Sequence, residues 1–201
     1  IAIHSVHLDD ADLSLLASHG ATVAHCPHSN LKLASGIAPT TRMRAAGIPV
    51  GIGTDGAASN NRLDLLAEAR TASLLAKGSS GDATAWTAHE TLHAMTLAGA
   101  RALGLGDRLG SIVAGKQADL VAIDLSEPGT LPVFEPVAHL IYTAGREQVK
   151  RVWVAGKAVV SERQLAGQPA VSRLGEVVAR TRLWHNRLVE TLPAGLRLSG
   201  A

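Results

Sequence analysis

The stretch that most constrains this chain is Gly51-Ile52-Gly53-Thr54-Asp55-Gly56-Ala57-Ala58-Ser59-Asn60-Asn61. A short apolar strand over 50–53 runs into Thr54-Asp55, glycine and small polar residues follow, and a helix begins near Arg62. A strand that carries a carboxylate to its C-terminal tip, through a tight turn into a helix, is the local plan on which β/α folds build their sites. The plain alternative is a turn, since Asp-Gly is a common turn pair and aspartate often caps helices.

The flanking sequence repeats that plan. A strand over 1–6 carries His4, and Asp9 or Asp10 offers an N-cap for a helix over 11–19 with Leu13, Leu16 and Ala17 on one face. Gly20 ends that helix. A second strand covers 21–25, and Pro27 is expected to leave 26–30 as irregular loop, with more loop over 31–39. A short helix over 40–46 closes at Gly47, and after the strand at 50–53 a helix over 63–77 places Leu63, Leu66, Ala67, Arg70 and Leu74 in helical spacing. The strands are apolar on both faces, as a parallel sheet covered by helices requires. Each delivers polar residues at its C-terminal end: His4 and His7, then His25 to Asn30, then Asp55 to Asn61.

Beyond a flexible linker at 78–82, Thr87 and Glu90 form a capping box. The helix they open runs to about 103, with Leu92, Met95 and Leu103 on a stripe and Gly99 allowing close approach of a neighbour. From Gly110 the pattern turns to β segments at 111–113, 118–124 and 149–154, with Ala155-Gly156-Lys157 as a hairpin turn into 158–160. Val171, Leu174, Val178, Leu188 and Leu192 then share the face of a last helix, expected to pack on the outside. The domain boundaries read from this are 1–107, 108–165 and 166–201.

Composition limits the partners. The chain has 201 residues, 46% apolar and 18% charged, with a net charge of +2, which describes a core-forming chain without a basic face. No Lys/Arg cluster tracks phosphates and the aromatics are scattered, so nucleic acid is not expected as a partner. No apolar run approaches the ~18 residues that span a bilayer, so no membrane is expected either. The single cysteine, Cys26, excludes an internal disulfide and fits a reducing cytoplasm. The chain begins with Ile1 inside a strand rather than with methionine, which leads us to expect an N-terminally incomplete sequence.

Other motifs have plainer readings. His25-Cys26-Pro27-His28 holds three potential zinc ligands, but no CxxC completes a structural site, and a pocket-lining loop is the simpler account. His89-Glu90-Thr91-Leu92-His93 matches H-E-x-x-H, yet it lies in the first helical turn, where Glu90 already caps. Gly110-Ser111-Ile112-Val113-Ala114-Gly115-Lys116-Gln117 nearly matches a phosphate loop, but Gln stands where Ser or Thr would bind magnesium, and the helix precedes rather than follows. His139 and His185 are read as structural or surface residues.

Four stretches in order carry a resemblance: His4-x-x-His7-Leu8; His25-Cys26-Pro27-x-Ser29-Asn30-Leu31-Lys32-Leu33-Ala34-Ser35-Gly36; Gly53-Thr54-Asp55-Gly56-Ala57-Ala58-Ser59-Asn60-Asn61; and Gly110-x-Ile112-x-x-Gly115-Lys116-x-Ala118-Asp119-Leu120-Val121. Together they resemble the amidohydrolase superfamily, within it the TRZ/ATZ group of methylthioadenosine/S-adenosylhomocysteine deaminases and triazine hydrolases. The resemblance implies an α/β fold: the C-terminal three β/α units of a metal-dependent (β/α)8 TIM barrel, part of a small β-sandwich, and a C-terminal helix. It implies one divalent metal, zinc or alternatively iron, held by an H-x-H pair on the first strand, a His on the fifth and an Asp on the eighth. His4 then matches the sixth-strand His that steadies the attacking water, and Asp55 matches the eighth-strand Asp, both metal ligand and proton acceptor. Ser59 and Asn30 are expected to contact substrate.

The reaction implied is hydroxide attack on a ring carbon of a purine nucleoside or triazine, releasing ammonia, another amine or chloride. H-x-H is missing from these residues, as are the strands that would carry it, so the chain alone is expected to be inactive and its first strand to be an exposed apolar edge. The full-length protein is a candidate homo-oligomer. The competing readings are a non-catalytic remnant or interaction module on the same fold, and a triazine chlorohydrolase or guanine deaminase-like hydrolase.

Overall fold

The computed structural model describes residues 1–167, 170–191 and 193. Its first layer is a parallel sheet of three short strands, β1 (Ala2–Ile3), β2 (Val23–His25) and β3 (Val50–Ile52), in the order β1-β2-β3. Ala2 pairs with Val23, Val23 with Val50, and His25 with Ile52, so the C-terminal ends of all three strands lie on one edge. Each strand is shorter than its apolar run suggested. His4 and Ser5 stand just beyond β1 with φ of 65° and 50°, a left-handed conformation that cannot continue a ladder.

The connections follow from local chemistry. Helix α1 (Asp10–Ser18) opens at Asp9, whose side chain accepts from the Asp12 N–H while Asp12 reaches back, and Leu13 is its buried residue. The residues after β2 depart from expectation: they form a short helix, α2 (Pro27–Lys32), not an irregular loop. Pro27 sits in the first turn, where its missing N–H leaves no bond unmade. Helix α3 (Thr40–Ala45) precedes β3 as expected.

Helix α4 (Leu65–Ser80) is capped by Asp64 and ends at Gly81 in the left-handed region, so most of the expected linker is helix. The face it buries is rotated from the expected one. Leu66, Glu68, Ala69, Ala72, Ser73 and Ala76 point inward, while Leu63 and Leu74 are about half exposed. Hydropathy cannot assign Glu68 and Ser73 to a buried face, because their burial depends on partners distant in sequence.

Thr87 and Glu90 form the expected capping box, opening α5 (Ala88–His93). A π-helical turn at Ala94–Ala98 then leads into α6 (Gly99–Ala102). The turn lets small residues face the sheet, and a Cβ on Gly51 would meet the Gly99 Cα at 3.0 Å. The expected stripe is displaced here too: Ala94, Ala98 and Ala100 are buried, while Leu103 is exposed. The core between sheet and helices joins Leu13, Val23, Met43, Ile48, Val50, Ala72, Ala76 and Trp86.

The second layer is an antiparallel sheet in the order β4-β5-β6-β7: β4 (Leu120–Ile123), β5 (Val149–Val154), β6 (Lys157–Ser161) and β7 (Gln164–Leu165). Both of its hairpins turn on two left-handed residues, Ala155-Gly156 and Glu162-Arg163, which matches the twist of the strands they join. The strand expected at 111–113 does not form, and Ile112 and Val113 are exposed. Helix α7 (Pro136–Tyr142), not anticipated, docks against α4: Arg70 donates to the Ile141 and Ala144 carbonyls at 3.1 and 2.5 Å, and Tyr142 Oη lies 2.8 Å from Ser73 Oγ.

Helix α8 (Ala170–Thr191) forms as periodicity predicts, but its packing differs. Val177, Leu183, Trp184 and Leu188 are exposed, because no described residues cover that face. Leu192 lies outside the described residues, and the side chains of Val171 and Leu174 are likewise not described. Among the described residues, no helix is long and apolar enough to cross a membrane.

Candidate functional site

The shared C-terminal edge of β1, β2 and β3 gathers the residues that matter. Asp55 follows β3 after Gly53 and Thr54, with φ of 61°. His4 and Asp55 thus both sit in the left-handed region directly past a strand end. Such backbone costs of order 1–3 kcal/mol and persists only where the surroundings impose it, a pattern found at functional sites.

The surroundings of Asp55 are specific. Ser29 Oγ, from α2, and Ser59 Oγ, from the Asp55 loop itself, both donate to Asp55 Oδ2 at 2.6 Å. The Gly56 N–H donates to Oδ1 at 2.7 Å. These three donors, Ser29 foremost, then Ser59 and Gly56, hold the carboxyl down to about 2, so it is charged at neutral pH. His4 Nε2 lies 3.8 Å from Asp55 Oδ2, with both side chains about one-third exposed. The other ring nitrogen, His4 Nδ1, is 2.9 Å from Asn30 Oδ1. An amide oxygen only accepts, so Nδ1 carries hydrogen and Nε2 is the ring nitrogen turned toward Asp55.

Ser59 and Asn30, expected as substrate contacts, therefore each touch one of the two candidate catalytic groups. Ser59 is half-buried beside Asp55, whereas Asn30 is only 2% exposed and its amide is engaged with His4. An open recess of about 260 Å³ lies alongside, lined by His28, Leu31, Lys32, Ser59, Asn60 and Arg62 among others.

Beneath the site runs a polar network that sequence reasoning missed. The Glu68 carboxylate is fully buried and receives the His28 backbone N–H at 3.1 Å, His28 Nδ1 at 2.8 Å and Asn60 Nδ2 at 2.5 Å. Burial pushes the Glu68 carboxyl up, and these donors oppose that shift. His25 is buried against Trp86, edge to face at 6.3 Å, and burial lowers its pKa to about 4. The signal available in the sequence was the pairing of polar residues with small neighbours in 26–30 and 59–61, but nothing local connects them to Glu68.

A divalent cation can be tested against this donor set. An ionised carboxylate offers about four acceptor sites. Three on Asp55 are taken by Ser29, Ser59 and Gly56, which leaves room for one further partner. Among the described residues, no three His, Cys, Asp or Glu side chains gather closely enough to hold a metal. Asp55 thus fits as one ligand of a larger set. The other motifs keep their plain roles. Glu90 closes the capping box and pairs with Arg44 at 2.5 Å, with His89 and His93 exposed. Lys116 Nζ caps the Gly106 and Leu109 carbonyls.

Comparison with known proteins agrees with this geometry. The amidohydrolase family model matches residues 1–159. A 5-methylthioadenosine/S-adenosylhomocysteine deaminase of Moorella thermoacetica is 47% identical over 180 residues, which cover 90% of this chain and 42% of that protein. A crystal structure of an adenosine deaminase from Xanthomonas campestris with bound zinc superposes with a TM-score of 0.86 at 50% identity, covering 92% of this chain and 42% of the other. An atrazine chlorohydrolase from Arthrobacter aurescens complexed with zinc superposes with a TM-score of 0.80 at 29% identity, covering 90% and 39%. This chain spans less than half the length of the relatives it matches. The match over 1–159, with His4, Ser29 and Asp55 brought together on one sheet edge, shows that the chain belongs to the amidohydrolase family.

Proposed function

We propose that these residues form the last three β/α units of an eight-unit barrel, within a hydrolase that deaminates an adenosine-type purine nucleoside. The observation that carries this reading is the paired donation of Ser29 and Ser59 to Asp55 Oδ2, with His4 Nε2 3.8 Å from the same oxygen, at the C-terminal edge of parallel strands. The parallel layer corresponds to the barrel portion over 1–107, the antiparallel sheet to part of a small sandwich over 108–165, and 166–201 to a C-terminal helix and tail. Helix α7 lies in the second range and docks on α4 of the first, which ties the two together.

Asp55 would be one ligand of a divalent metal, zinc by the company of zinc-bound neighbours and iron as the alternative. When bound, such a metal would acidify a water and so supply the attacking hydroxide. Within this chain, Asp55 takes up the water's proton at its carboxylate. His4, fixed through Nδ1 by Asn30, presents Nε2 to orient the attacking oxygen. Ser29 holds Asp55 Oδ2 in place through that transfer, while the Ser59 hydroxyl can turn to the Gly56 carbonyl at 3.2 Å and free the site the proton takes; Ser59 also borders the recess in which a substrate would lie. Asn30 then serves the substrate through His4. The partner is a small molecule, in a cytoplasmic enzyme that needs neither nucleic acid nor membrane. A purine nucleoside is favoured over a triazine because the nucleoside deaminase relatives are far more similar in sequence.

The test is ammonia release from 5-methylthioadenosine and S-adenosylhomocysteine by a full-length protein containing these residues, beside Asp55→Asn and with metal content measured. Release that is lost in the variant supports the reading. Chloride release from atrazine instead would favour the triazine reading, and no turnover of either, without stoichiometric metal, would favour a non-catalytic module. The chain of 201 residues by itself is expected to release no ammonia.

A further inference from the structure

Glu68 lies away from the reacting groups, yet its two oxygens hold both the helix that carries Ser29 and the loop that carries Asp55 and Ser59. Its Oε2 accepts the backbone N–H of His28 at 3.1 Å, one residue before Ser29. Its Oε1 receives His28 Nδ1 at 2.8 Å and Asn60 Nδ2 at 2.5 Å, one residue after Ser59. The two serines so placed meet at the same oxygen, Asp55 Oδ2. Asn60 Nδ2 also donates to the Thr54 carbonyl at 2.8 Å, on the other side of Asp55. The far nitrogen of His28 returns to α4 through Thr71 Oγ1 at 2.7 Å, which orients the ring. A fully buried carboxylate is retained against its desolvation cost only when its partners are well made, and this one is met from two separate loops.

We propose that Glu68 is a positioning residue: by holding His28 and Asn60 at once, it sets the register between the α2 loop and the Asp55 loop, and so the approach of Ser29 and Ser59 to Asp55. This rests on the deaminase reading for its kinetic consequence, while its structural consequence stands apart from it. Glu68 is fully buried and does not line the recess beside Asp55. Its effect passes through two side chains that reach a common acceptor.

The test is Glu68→Gln in the full-length enzyme. The isosteric amide keeps the volume but sets an NH2 against either the His28 backbone N–H or the His28 Nδ1 and Asn60 Nδ2 pair, and leaves a neutral, weaker acceptor for the rest, so both loops are held less firmly. We expect kcat to fall about 10- to 100-fold and KM to rise by a smaller factor, since the loosened loops carry the donors to Asp55 as well as the recess residues His28, Ser59 and Asn60. Hydrogen exchange should rise together in segments 27–33 and 54–62, while α4 keeps its protection. His28→Gln and Asn60→Ala divide the effect, each loosening only its own loop, and they serve as readouts should Glu68→Gln fail to fold. Unchanged kcat, or exchange that rises across α4 and the core alike, would overturn the proposal. If the parent enzyme deaminates neither nucleoside, the functional reading fails, and the exchange pattern alone decides: paired loosening supports the positioning role and unchanged loops refute it.

Discussion

The two sheets handle charge in opposite ways. At the edge of the parallel layer, polar groups converge: Ser29, Ser59 and Gly56 on the exposed Asp55, and His28 and Asn60 on the buried Glu68. On the antiparallel sheet, cations hold the surface carboxylates of Glu162 (Arg151 at 2.7 Å) and Glu127 (Arg163), while Asp124 takes the Ser126 O–H and N–H at 2.5 and 3.0 Å before Lys150 at 3.4 Å. Serine O–H and amide N–H groups in a partly dry pocket fix geometry, whereas solvated ion pairs fix little and are screened by salt. The difference teaches that a lowered carboxyl pKa does not by itself locate function in this protein. Asp55 and Asp124 are both drawn down to about 2, and only Asp55 stands beside an imidazole at the end of parallel strands.

The contrast can be broken or sharpened by experiment. The largest effect is expected from Asp55→Asn in the full-length enzyme. It should lower kcat by roughly 10²- to 10⁴-fold and reduce bound zinc, because the amide neither takes up the proton nor offers the same charge to a cation. Equal rate and metal occupancy in the variant would remove Asp55 from the site. Next comes the apolar support beneath the parallel layer. Trp86 is 1% exposed, with Arg44 stacked at 5.4 Å, and Trp86→Ala should cost about 3–5 kcal/mol in thermal or denaturant unfolding.

A third test is acid stability. His25 is buried beside Trp86, with Nδ1 lacking a hydrogen-bond partner among the described residues, and its folded pKa is about 4 against 6.5 for the free side chain. Below 6.5 the unfolded chain binds a proton that the folded one refuses. Stability therefore falls as pH drops from 6.5 toward 4 and levels off below, by about 3 kcal/mol in all. Replacing His25 with Gln should flatten that limb of the unfolding curve, and an unaltered limb would assign it to other groups. The smallest effect belongs to the antiparallel sheet. Glu162→Gln should lower unfolding stability only slightly at low salt and less at high salt, because Arg151 and Glu162 are both more than half exposed. A larger cost would show that this sheet relies on its charges more than its exposure suggests.

Several elements were legible in the sequence for reasons that can be named. The strand, turn and helix around Asp55 are read from glycine, apolar run and cap, all within a dozen residues. The Thr87/Glu90 box and the Ala155-Gly156 hairpin are equally local. Other features were not legible. Pro27 reads as a breaker but opens a helix, since only the position of the first turn decides which. The buried face of α4 was misjudged by hydropathy because Glu68 and Ser73 are buried for partners forty residues upstream (His28) and thirteen downstream (Trp86). The π-helical turn at Ala94–Ala98 shifted the inward stripe of its helix, a change that periodicity cannot foresee.

By itself, the sequence determined the strand–helix rhythm, the placement of His4 and Asp55 at strand ends, and the family likeness, because these depend on neighbouring residues and on motif order. Only the tertiary structure decided that Ser29 and Ser59 share one oxygen of Asp55, that Asn30 holds His4, and that Glu68 joins their loops. Those bonds link residues far apart in the chain, and their partners are chosen by packing rather than by local propensity.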